Sequence, residues 1–184
     1  MLANYRGPVS LKDPSHANGK PVVTYLSRQE ANHRKLNPDT HEELIMALKA
    51  LEQEGLAEVN VEEFADADDK DDQVAKLSRT TILVGVHGNG LTNLIWMTPD
   101  TYGRSAVYEI QQPGMFTDDY AILSKALGIE HWIIGGRDEN LEYCQRSTCG
   151  IYGTSEGIDP GHWSFTLRVP ELVKRVRNHL MSLP

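Results

Sequence analysis

The stretch that most constrains this chain is TILVGV, in the 80–86 region, which runs unbroken into His87-Gly88-Asn89-Gly90 and then into LTNLIWM. An apolar run with no polar alternation is expected of a central parallel strand covered on both faces. The glycines admit a tight turn after it, and LTNLIWM has the length and pattern of a helix. Parallel strands need long crossovers, so the remaining chain must supply strands and helices in alternation.

It does so. PVVTYLS (21–27) is a β-branched and aromatic strand, followed by a polar loop to Pro38. Thr40 and Glu43 read as a capping box opening a helix with Leu44, Ala47, Leu48 and Leu51 on one face. LAEVNVEEF (56–64) alternates apolar and polar residues, as a strand near a sheet edge would. SAVYEI (105–110) and IEHWIIGG are two more strands, and TDDYAILSKALG (117–128) is an amphipathic helix with Thr117 as its cap. PELVKRVRNHLMSL closes the chain as a helix started by Pro170. The expected fold is α/β: a doubly wound, mostly parallel Rossmann-like sheet. Residues 1–20 read as a flexible lead-in, 21–184 as a single domain and 138–162 as a turn-rich segment within it.

Composition supports one packed domain: of 184 residues, 40% are hydrophobic and 24% charged. There are 26 acids against 18 basic residues and no basic stripe, so a nucleic-acid partner is not expected. Seven acids and one lysine between Glu62 and Asp72 account for six of the eight net negative charges. Asp66 and Asp68 within that run have the spacing of a metal-holding aspartate pair, but as a calcium loop the segment fails, with Asp71 at its sixth place and Leu77 at its twelfth. A solvated loop is the simpler reading. No segment has signal-peptide character, and no run approaches the roughly 18 apolar residues of a membrane span. Cys144 and Cys149 read equally as free thiols or as a local disulfide, with no second pair to complete a zinc site.

Ligands of open parallel sheets bind beyond the carboxyl ends of the strands, which singles out three places. In GVHGNGLTN (85–93), unpaired amides and the helix dipole at a glycine turn attract an anion, and His87 at its mouth is a phosphate donor or proton carrier. This is no Walker loop, and the third glycine of the dinucleotide fingerprint is replaced by Asn93. Glu109, at the end of SAVYEI, is placed to accept the two hydroxyls of a ribose. Beyond the first strand, Ser27-Arg28 leads to Arg34, Lys35 and Asn37, where a forked guanidinium suits a diphosphate.

VVTYLSRQEANHRKLNPDTHEELI, TILVGVHGNGLTNLIWMTP and AVYEIQQPGMFTDDYAILSKALGIEHW together resemble the catalytic region of glycosyltransferase family 61, over roughly residues 20–135. The resemblance implies the donor-binding, carboxyl-terminal half of a GT-B architecture, of the fungal type. It implies inverting transfer of a sugar such as xylose, arabinose or N-acetylglucosamine from a UDP-sugar to a glycan or protein acceptor, with no cofactor and no metal. Carried over by position, the donor site comprises Ser27, Arg28, Asn37, His87, Gly88, Asn89, Gly90, Leu91, Thr92 and Glu109. Arg28 and His87 stabilise the leaving diphosphate, while Glu109 lies on ribose or base. No residue stands out as the general base, which stays unassigned; a two-domain architecture leaves room for it in a second, amino-terminal Rossmann-like domain. Asn89 and Asn93 depart from the alanine and histidine common in the family. Family membership further implies a Golgi or endoplasmic reticulum lumen, where Cys144 and Cys149 would be bridged. Two other readings compete: a transferase half retained as a non-catalytic binding module, and a nicotinamide-dependent oxidoreductase resting on the glycine turn and Glu109.

Overall fold

The computed structural model describes residues 20–31, 34–64, 69–97, 105–112, 117–135 and 164–182. The elements are β1 (Val22–Leu26), β2 (Lys35–Leu36), α1 (Pro38–Gln53), β3 (Glu58–Glu62), α2 (Lys70–Ser78), β4 (Ile82–Val86), a 3₁₀ helix (Asn89–Trp96), β5 (Ala106–Gln111), α3 (Asp119–Ala126), β6 (Glu130–Gly135), β7 (Ser164–Phe165) and α4 (Val169–Met181). Five strands form one parallel sheet in the order β3-β1-β4-β5-β6. The doubly wound α/β expectation is therefore met, with the apolar β4 at the centre and the alternating β3 at an edge.

Counted along this sheet alone, the strands run 2-1-3-4-5, the flavodoxin-type order. The chain winds outward from β1 to β3, then crosses back to β4 and continues the other way. Winding reverses between β1 and β4, and connections leaving their carboxyl ends in opposite directions open a crevice there.

Strand alternation divides the buried side chains between two layers. Val23, Tyr25, Ile82, Val84, Tyr108 and Ile134 face α1 and α4, whose Leu44, Leu48, Leu51, Leu172 and Val176 recur at helical spacing. Leu26, Leu83 and Val107 face the opposite way and pack with Leu77, Leu91, Leu94 and Ile129.

Three local expectations change. Helix α1 starts at Pro38 with Asn37 at its N-cap, and Thr40 is buried inside it rather than capping it. Proline pre-sets the first helical φ, so the start moves ahead of the Thr40–Glu43 box. Asp118, not Thr117, occupies the N-cap of α3, although the Thr117 Oγ1 accepts from the Asp119 amide at 3.4 Å. The apolar segment after the glycine turn is a 3₁₀ helix: Leu91, Leu94 and Met97 are buried at intervals of three, the period at which 3₁₀ side chains line up. It packs closely because β4 carries Gly85, where a Cβ would stand 2.9 Å from Leu91 Cδ2. A two-stranded parallel pair, β2 with β7, was not foreseen; it carries Leu36 and Phe165 into the core.

Part of the acidic run has a local task, since the Asp69 carboxylate caps α2 by accepting from the Asp71 amide at 2.9 Å. Asp66, Asp68, Cys144, Cys149, the segment 138–162 and residues 1–19 of the lead-in lie outside the described residues. No helix among the described residues is long and apolar enough to cross a membrane.

Candidate functional site at the sheet switch point

Residues leaving β1 and β4 meet in the crevice. Ser27 and Arg28 follow β1, and His87 through Gly90 follow β4. The loop after β1 is pinned from β3: the Ser27 amide donates to the Glu62 carbonyl at 2.6 Å. Glu63 accepts from the Ser27 hydroxyl at 3.1 Å and from the Glu30 amide at 2.8 Å. This fixes the departure point of Arg28, whose side chain lies across Gly88. A Cβ on Gly88 would stand 1.9 Å from Arg28 Nη1. The guanidinium can occupy this place only because position 88 has no side chain.

Arg28 Nε is buried without an acceptor among the described residues. Burial, and next the positive charge of Arg34, pull the Arg28 pKa below its ordinary value, while Tyr120 acts in the opposite direction. Arg34 adopts a left-handed φ of 55°, a conformation costing a non-glycine residue on the order of 1 kcal/mol or more. It lines a small open cleft with Val86, His87, Gln111, Gln112 and Thr117. Two guanidinium groups so close repel each other, and an anion between them relieves that repulsion.

His87 is 12% exposed at its side chain and packs at 5.3 Å, ring centre to ring centre, on Tyr120 of α3. Its Nδ1 contacts Glu109 Oε1 at 2.5 Å. The second Glu109 oxygen is held by His131 Nε2 at 2.8 Å, and His131 Nδ1 meets Ser124 Oγ at 2.8 Å. Burial alone would raise the Glu109 carboxyl, but the hydrogen bonds from His131 and His87 outweigh it and hold the pKa below its ordinary 4.5.

Among the sequence-selected residues, the structure brings Arg28, His87, Gly88, Asn89 and Gly90 to one crevice. Others do different work. Glu109 differs most from expectation: it has no exposed surface, and both oxygens are engaged within the chain, so it presents nothing to a ribose. This also removes a support of the oxidoreductase reading. Ser27 is 8% exposed and ties down its own loop. Asn37 is the N-cap of α1, its amide bonded to the Phe165 carbonyl at 2.8 Å. Leu91 is a core residue whose amide is used by the Gly88 carbonyl, whereas Thr92 is exposed.

Tyr120, Gln111, Gln112, Thr117, His131 and Ser124 were missed. A signal was available for His131. Glu109 lies on the same sheet face as Val107, and in parallel register Val107 pairs with His131. Two polar residues in adjacent apolar strands on one face call for each other.

The family model described as Glycosyltransferase 61 matches residues 5–103, more than half of the chain. No curated protein matches the sequence. Among solved structures, the chain is similar to the crystal structure of a flavodoxin-like domain from Synechococcus sp. The two are 16% identical with a TM-score of 0.40, over 67% of this chain and 86% of that one.

Proposed function

Because the chain belongs to the glycosyltransferase 61 family, we propose that its β1/β4 crevice holds the diphosphate of a UDP-sugar donor. The observation that carries this reading is Arg28, laid across Gly88 at the switch point with a buried Nε–H that has no acceptor among the described residues, and with Arg34 beside it. A buried charged donor without a partner costs on the order of 1–3 kcal/mol, which an anionic oxygen would offset. His87 Nε2, opposite the nitrogen bound to Glu109, supplies a further donor to the phosphate oxygens.

In this reading an acceptor hydroxyl on a glycan or protein attacks the anomeric carbon with inversion, and UDP departs. Negative charge grows on the diphosphate, where Arg28, Arg34 and His87 stabilise it without a metal ion. The base that takes the acceptor proton belongs to a second Rossmann-like unit, and transfer takes place in the lumen of the Golgi or endoplasmic reticulum. Support for these finer points is the family alone.

Calorimetric titration with UDP, UDP-sugars and nicotinamide nucleotides tests the site. UDP is expected to bind while nicotinamide nucleotides do not, and Arg28→Ala and His87→Ala each weaken UDP by about tenfold or more. Undiminished affinity in both variants would overturn the assignment.

A further inference from the structure

Behind His87 runs a buried line of side chains that meets the proposed diphosphate site at the His87 ring: Glu109 on β5, His131 on β6 and Ser124 on α3. Each is nearly or fully enclosed, at 0%, 4% and 0% exposure. A carboxylate only accepts hydrogen bonds, so both imidazoles donate to Glu109, His87 through Nδ1–H and His131 through Nε2–H. A neutral His131 is then left with a lone pair on Nδ1, and the Ser124 hydroxyl is the donor that satisfies it. Ser124 is the only residue of α3 that is buried. At such a position an apolar side chain would serve packing alone, whereas a hydroxyl there is costly unless paired.

We propose that Ser124 and His131 are positioning residues, which act through Glu109 to fix the ring orientation and the Nδ1–H tautomer of His87. A carboxylate held by one imidazole can rotate about its terminal torsion, which is broad. A second donor on its other oxygen fixes the plane, and the serine fixes that donor in turn. His87, whose Nε2 has no partner among the described residues, lines the cleft that also holds Arg34. To bind an anionic oxygen at Nε2 the ring must hold a second proton, taken from solvent, so that both nitrogens donate and the carboxylate behind the ring balances the charge. The proposal rests on the reading of His87 as a diphosphate ligand.

The test uses the whole chain. Long-range proton–nitrogen NMR of the histidine rings reports the His87 tautomer, and calorimetry reports UDP affinity. Both are applied to Ser124→Ala and His131→Asn, each made with His87 present and in a His87→Ala background. With His87 present, each substitution is expected to replace the single Nδ1–H pattern of His87 by a mixture and to weaken UDP about 3- to 10-fold. In the His87→Ala background the same substitutions change affinity less than about twofold, because the coupling has lost its endpoint. An unchanged His87 pattern in both variants, or equal affinity losses in both backgrounds, overturns the proposal. If the unaltered chain fails to bind UDP while Ser124→Ala still changes the His87 tautomer, the relay stands and the diphosphate reading falls.

Discussion

On the face covered by α1 and α4 the strands present Val23, Tyr25, Ile82, Val84, Tyr108 and Ile134, whereas the face beneath α2, the 3₁₀ helix and α3 mixes leucines with Thr24, Glu109 and His131. The first face reserves its polar contacts for the rim: the Tyr25 hydroxyl meets His41 at 3.0 Å, and Arg175 stacks over Trp132 at 5.0 Å. The second buries a carboxylate and pairs it with two histidines. Burying a charge is a poor way to gain stability when an apolar side chain would fill the same space. The contrast separates a face that holds the fold from one that holds a site.

That separation can be attacked first where the effect is largest. Leu48→Ala, in the centre of the α1 layer, is expected to cost about 2–5 kcal/mol in urea unfolding while leaving UDP affinity unchanged. A parallel loss of ligand binding in the remaining folded fraction would mean the two faces are coupled.

Glu109→Gln, on the other face, is expected to cost about 1–3 kcal/mol and also to weaken UDP. It carries a pH signature. The Glu109 pKa is lower in the folded chain than the ordinary 4.5, so the unfolded chain binds its proton more readily. The associated stability is fully present above pH 4.5 and is lost as the pH falls through the folded value. Melting curves between neutral pH and pH 3 should therefore converge for the two proteins in acid; a constant offset would contradict an ionised Glu109.

The smallest change is at the helix cap facing neither layer. Asp69→Ala removes the acceptor of the Asp71 amide and is expected to cost about 1 kcal/mol, with no effect on UDP. A loss beyond about 2 kcal/mol would assign the acidic run a larger structural part than capping.

Much of this was legible from residue pattern. The unbroken ILVGV could only be a central strand, and the alternation in EVNVE fitted an edge, because covering both faces or one leaves different signatures. The crevice followed from Arg28 and His87 standing just beyond strand ends. What was not legible depended on packing across elements. Periodicity gave Leu91 and Leu94 to a helix without telling which kind; the 3₁₀ form goes with the close seat of Leu91 on Gly85, a contact between elements. Glu109 looked like a ligand group because a strand-end acid in isolation shows no partner. Its partners lie 22 residues away on either side along the chain, brought together by the β4-β5-β6 order.

The most direct test of the central claim is a nitrogen-detected titration that follows the Arg28 Nε–H together with the backbone amides of Gly88, Asn89 and Gly90 as UDP is added. The account predicts that the Arg28 resonance and these amides shift in step and saturate at one concentration, while amides of α1 and α4 stay in place. Saturable shifts confined to other parts of the sheet, with Arg28 Nε unmoved, would contradict it.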